Sequence, residues 1–144
     1  MKIFILLNIF IFLSFVSCVT QPQQRTFPKK VEAKNSATTV VSDFLEALKN
    51  RNFKSAYKQV YIINSDEQGY ISRFESIYND YDLKIINYRI LGTQLYRDTA
   101  IVVAEVEVDF KSPSKTERSR NIYRNQYDLS IVENLWKITK DKCI

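Results

Sequence analysis

Thr99-Ala-Ile-Val-Val-Ala-Glu-Val-Glu-Val-Asp-Phe110 carries an apolar residue at every second position without a break. Ala100, Val102, Ala104, Val106, Val108 and Phe110 fall on one side, and Glu105, Glu107 and Asp109 on the other. A period of two with one apolar side is the pattern of a half-buried β-strand. Such a strand needs neighbours to take its backbone hydrogen bonds and a second layer to cover its apolar side. The sequence on either side of it has to supply both.

Downstream, residues 121–132 place Tyr123, Tyr127, Leu129 and Ile131 on a single side. Joining apolar side to apolar side fixes the parity of the antiparallel pairing. The expected register sets Val108 beside Tyr123, Ala104 beside Tyr127 and Val102 beside Leu129, with Glu107 opposite Arg124 as an outer charge pair. Glu133-Asn134 is a turn, and residues 135–140 return with Trp136 beside Ile131 and Ile138 beside Leu129. Upstream, Ile86, Tyr88 and Ile90 alternate until Gly92 shifts the apolar set to Leu91, Thr93 and Leu95, which signals a β-bulge. Arg97-Asp98 turns this strand into the central one. The expected inner side of the sheet carries no carboxylate.

The layer that covers the sheet comes from residues 36–80. Val40, Val41, Phe44, Leu45 and Leu48 recur at helical spacing behind the N-cap candidate Ser36, and Asn50-Arg51-Asn52 ends the run. Phe53, Ala56, Tyr57 and Val60 make a short second helix. A third is expected to start at Ser65, with Gln68 completing a capping box, and to end at Asn79-Asp80. Helices first and an antiparallel sheet afterwards define an α+β domain, with N-terminal helices packed on a four-stranded sheet.

Composition narrows the chemistry. The 144 residues include no His, two Cys and two Gly, with a net charge of +5. Without His there is no imidazole base, no Ser-His or Cys-His pair and no imidazole metal ligand. Two isolated glycines write neither a phosphate loop nor a dinucleotide fingerprint. No cofactor or metal is expected.

The first residues carry an address. Lys2 precedes an apolar run over residues 3–13, then Ser14-Phe15-Val16-Ser17-Cys18. This is the layout of an export signal, and the run is short for a comfortable membrane span of about 20 residues. Phe15-Val16-Ser17-Cys18 resembles the bacterial lipobox, with Phe15 where Leu, Val or Ile is usual. The expected division is a signal peptide at 1–17, lipidated Cys18 and a tether over 18–35, and one domain over 36–144. If Cys18 is acylated, Cys143 has no partner; if it is not, a Cys18–Cys143 disulfide is open to an exported chain.

The pattern Phe-Leu-x-Ala-Leu followed by Phe-x-x-Ala-Tyr over residues 44–57 resembles the opening of nuclear transport factor 2-like domains. The alternating strand that ends at Phe110 and the closing Leu135-Trp136-Lys137-Ile138 resemble the later strands of that superfamily. More narrowly, the chain resembles exported bacterial lipoproteins of uncharacterised function that carry this domain. The resemblance implies a cone-shaped fold in which a curved sheet wraps around helices, often around a pocket. It also implies that homodimers are common. Members include enzymes, ligand binders and assembly modules, so it assigns no activity.

Three features are candidates for function. Tyr88, Tyr123, Tyr127 and Trp136 lie on the expected inner side and are either an aromatic pocket for a small apolar ligand or core packing. Glu105, Glu107 and Asp109 sit about 7 Å apart along the strand and read as a solvated face rather than a cation site. Lys111, Lys115, Arg118, Arg120 and Arg124 give residues 111–124 a net +4, a candidate contact patch for an envelope protein or an anionic envelope polymer. Nucleic acid is not an expected partner of an exported domain. The sequence therefore points to a membrane-anchored, non-enzymatic binding domain of the bacterial envelope with no catalytic residues. The alternative is a pocket protein of isomerase or dehydratase type.

Overall fold

The computed structural model describes residues 33–63, 66–114 and 116–144. The expected signal peptide, Cys18, most of the tether, Ser65 and Lys115 lie outside them. Three helices precede four strands: α1 (Ala37–Lys49), α2 (Phe53–Tyr57), α3 (Glu67–Asp80), β1 (Lys84–Leu95), β2 (Thr99–Phe110), β3 (Ser119–Val132) and β4 (Leu135–Cys143). No helix among the described residues is long and apolar enough to cross a membrane.

Ser36 caps α1 by accepting a hydrogen bond from the Thr39 N–H, and Arg51 leaves the helix with φ 56°. The buried residues of α1 recur at helical spacing as expected. Helix α3 is capped by Asp66, which accepts from the Gly69 N–H, rather than by Ser65. A carboxylate at the helix N-terminus also meets the positive end of the helix dipole.

The sheet is antiparallel in sequence order, β1-β2-β3-β4. Each β2 residue of the apolar side is buried and each of its neighbours half-buried, from Ala100 to Phe110. Glu133 and Asn134 both have positive φ, the conformation that a tight two-residue hairpin turn requires. The β3–β4 register sets Ile131 against Trp136 and Leu129 against Ile138, as expected.

The β2–β3 register differs from expectation by two residues. Ala100 pairs with Leu129, Val102 with Tyr127, Val106 with Tyr123 and Glu105 with Arg124. A slip of two leaves every side chain on its own face, so burial fixes the parity and not the partner. β1 has the expected bulge before Gly92 and a further one between Ile85 and Asn87, so Ile85 rather than Ile86 reaches the core.

The core lies between the inner side of the sheet and the helices: Val41, Leu45 and Ala56 meet Val102, Ala104 and Leu129 in one cluster. The phenol ring of Tyr127 is fully buried and packs edge-on against Phe44, with ring centroids 6.0 Å apart. Phe53 packs edge-on against Tyr78, tying α2 to α3. One edge of the sheet is covered: Tyr61 N–H donates to the Ile138 carbonyl and Ile138 N–H to the Gln59 carbonyl.

Candidate functional site

β4 does not stop at Lys140. A bulge falls between the pairs Leu129–Ile138 and Asp128–Lys140, and the strand continues to Cys143. The bulge reverses the phase, so Asp141 rather than Lys140 joins the buried side, directly opposite Tyr127. The inner side of the sheet therefore does carry a carboxylate. Continuing the Trp136 and Ile138 phase would have buried Lys140 and Lys142, and two unpaired buried lysines are untenable. That conflict was the available signal for the bulge.

Asp141 belongs to a buried polar cluster. Asn125, on the same side of β3 as Tyr127, donates to the Tyr127 hydroxyl at 3.3 Å. Asp141 Oδ1, Asn125 Oδ1 and the Tyr70 hydroxyl are buried without a hydrogen-bond partner among the described residues. Tyr70 arrives from α3, its ring stacked on Phe74 at 4.5 Å. Burial pushes the Asp141 carboxyl up to about 6, against the pull of its own backbone hydrogen bond. Burial also raises the Tyr70 phenol, and the Asp141 charge raises it further. The Tyr127 phenol is raised in the same way, with Asn125 acting in the opposite direction. A carboxyl that titrates near neutrality beside two phenols can hold or release a proton inside the fold.

The four aromatic candidates are dispersed by their contacts. Tyr127 and Trp136 are core residues. Tyr88 is half-buried, its hydroxyl 3.3 Å from the Ser42 carbonyl and 3.2 Å from a Glu46 carboxylate oxygen, so it braces β1 against α1. Tyr123 is also half-buried, and its hydroxyl accepts from Asn121 at 3.3 Å. The structure brings Tyr127 together with Asp141, Asn125 and Tyr70 instead, three residues that sequence reasoning did not single out.

On the outer side, the acidic residues of β2 and the basic patch form one ladder. Glu105 accepts from Arg89 at 2.7 Å and from Arg124 at 3.1 Å, and the two guanidiniums hold its carboxyl below its usual range. Glu107 pairs with Arg120 at 2.7 Å. Arg118 grips Asp109 at 2.9 Å and also pairs with Asp82, and its hydrogen bond lowers the Asp82 carboxyl. Arg118 thus fastens the β2–β3 loop to the start of β1. Arg120 and Arg124 keep 60% and 55% of their side-chain surface exposed despite their partners. Beside the loop, Lys111, Ser112 and Ser114 face Asn79, Asp80 and Asp82 across an open cleft of about 420 Å³, remote from the inner cluster.

No family model matches the chain, and no curated protein matches it in sequence. Solved structures do match. A ketosteroid isomerase-like protein from Erwinia carotovora atroseptica superposes with a TM-score of 0.59 at 11% identity, over 74% of this chain and 92% of that one. An NTF2-like protein from Cytophaga hutchinsonii gives 0.52 at 16% identity, over 74% and 92%. The intermembrane space region of the chloroplast protein ARC6 gives 0.55 at 14% identity, over 75% and 93%. At these identities the likeness is one of fold. The chain has the nuclear transport factor 2-like, cystatin-like α+β fold, with helices held in a curled four-stranded sheet. That fold class serves binding and isomerase-type or dehydratase-type domains alike.

Proposed function

We propose that the protein is an exported, lipid-anchored domain of the bacterial envelope that works by binding at its surface. The signal-like residues 1–17 and the lipobox-like Cys18 support the anchor. One structural observation carries the binding reading: the inner aromatics are engaged in holding the fold. Tyr127 is fully buried, Trp136 is 8% exposed, and the Tyr88 hydroxyl is bonded to α1. The contact surface is the basic side of the sheet, where Lys111, Arg120 and Arg124 remain open to solvent. Its partner is an envelope protein or an anionic envelope polymer, met through charge. Lys111→Ser, Arg120→Ser and Arg124→Ser together should abolish low-salt retention on isolated envelopes, scored after Cys18→Ser has removed the anchor. Unchanged retention would sink the surface reading. Arg118 is left in place because it fastens the loop.

The Asp141 cluster favours a second reading, a small-ligand site or isomerase-type chemistry inside the cone. A carboxyl raised to about 6 is suited to a general base near neutral pH. The ketosteroid isomerase-like neighbour shares the fold in which such chemistry is named. A melting-temperature gain with one member of a panel of small apolar ligands, lost in Asp141→Asn, would favour this reading over surface binding.

A further inference from the structure

The described chain begins at one end of the sheet, and the basic loop lies at the other. Lys34 N–H donates to the Asn134 carbonyl at 3.0 Å in the β3–β4 turn. The Asn35 side chain accepts from the Trp136 N–H at 2.8 Å, and Thr38 meets Thr93 near the end of β1 at 2.9 Å. Both tight hairpins, β1–β2 and β3–β4, therefore turn where residue 33 emerges. The β2–β3 loop lies a full strand away, about 35–40 Å for the 12 residues of β2. Residues 19–32 can span at most about 45–50 Å. An anchor at Cys18 thus keeps the hairpin end within that reach of the bilayer, and the β2–β3 loop lies a strand length further along the chain's path from it.

That end carries an exposed apolar tip. Leu95 is 66% exposed and Tyr96 56%, and Arg97 follows them. The Tyr96 hydroxyl donates to the Gln94 side chain at 3.2 Å, leaving an apolar ring with a polar end. A leucine beside a tyrosine suits the boundary between headgroups and acyl chains, where amphipathic rings are enriched.

We infer that the β1–β2 hairpin tip, Leu95 and Tyr96, rests on the lipid surface and stands the domain on the membrane with its β2–β3 loop pointing away. The inference rests on the proposed Cys18 anchor. It assigns the two ends different tasks: the hairpins face lipid, and the basic side at the far end is presented to the envelope.

The test uses the full-length chain purified from a bacterium in a Cys143→Ser background and placed in phosphatidylethanolamine/phosphatidylglycerol vesicles that contain nitroxide lipids. A fluorophore is attached at Leu95→Cys, Tyr96→Cys or, at the far end, Ser114→Cys, all exposed positions. Quenching is expected to be severalfold stronger at 95 and 96 than at 114. Equal quenching at both ends, stronger quenching at 114, or burial of the tip against a second copy would overturn the inference. Intact mass of the same samples separates the two failures. A chain without acyl mass loses the anchor and this orientation together, whereas an acylated chain with equal quenching loses the orientation alone.

Discussion

Asp141 faces Tyr127 across the β3–β4 ladder, a carboxyl set against a fully buried phenol on the side of the sheet that the helices cover. A bulge in β4 puts it there. Burying that carboxyl with one oxygen unpartnered costs stability unless the group is protonated.

The stability of the domain should therefore depend on pH through Asp141. Its carboxyl is raised from 3.8 to about 6 in the folded state, so the folded chain binds the proton more tightly than the unfolded chain. The favourable contribution is complete below about pH 4 and is lost as pH rises through about 6, up to about 3 kcal/mol in all. Thermal unfolding of Asp141→Asn should lack this step and give the higher melting temperature at pH 8. An identical pH profile in the variant would refute the assignment.

Tyr127 is a structural test of the aromatic interior. Tyr127→Ala removes a fully buried ring packed on Phe44 and should cost about 3–5 kcal/mol in denaturant unfolding. Tyr127→Phe keeps the ring but removes the acceptor of the Asn125 amide, and about 1–3 kcal/mol is expected. A neutral Tyr127→Ala would mean that the ring lines open space.

Asn35 closes the domain at its N-terminal end. Its side chain accepts from Trp136 N–H at 2.8 Å and donates to the Trp136 carbonyl at 3.4 Å, as a neighbouring strand would. Asn35→Ala should lower stability by about 1–2 kcal/mol and speed hydrogen exchange at the Trp136 amide. Unchanged exchange there would show that the clamp is not formed.

Arg118 should matter locally rather than globally. Arg118→Ala frees Asp82 and Asp109, so amides near Asp82 and at the end of β2 should exchange faster while the melting temperature barely moves. Raising salt should reproduce part of the effect. A large drop in melting temperature would contradict the reading of these pairs as a solvated ladder.

How far the sequence reaches can be judged residue by residue. Helix α1 was legible because a capping Ser36 stands before apolar residues at helical spacing. The Gly92 bulge was legible because a phase change coincided with a glycine. The bulge beside Ile86 was not, since Ile85 and Ile86 are equally apolar and either could turn inward. The two-residue β2–β3 slip was invisible for a related reason: Arg124 stands opposite Glu105 in the observed register and opposite Glu107 in the expected one, so both registers give it a carboxylate. Asp141 was hidden by the β4 bulge, which reverses the phase that Trp136 and Ile138 set. The basic patch was legible as charge, and a pair between Arg124 and a β2 carboxylate was expected, but which carboxylate each arginine meets became clear only with the register.

The proposed anchor at Cys18 is tested directly by intact mass. The mature protein is purified from a bacterium fed labelled palmitate, with Cys18→Ser beside it. A lipid-anchored protein should begin at Cys18, carry acyl mass and label, and lose both in the variant. An unmodified soluble chain would contradict the anchor, and a Cys18–Cys143 disulfide on a freely secreted ligand binder would take its place.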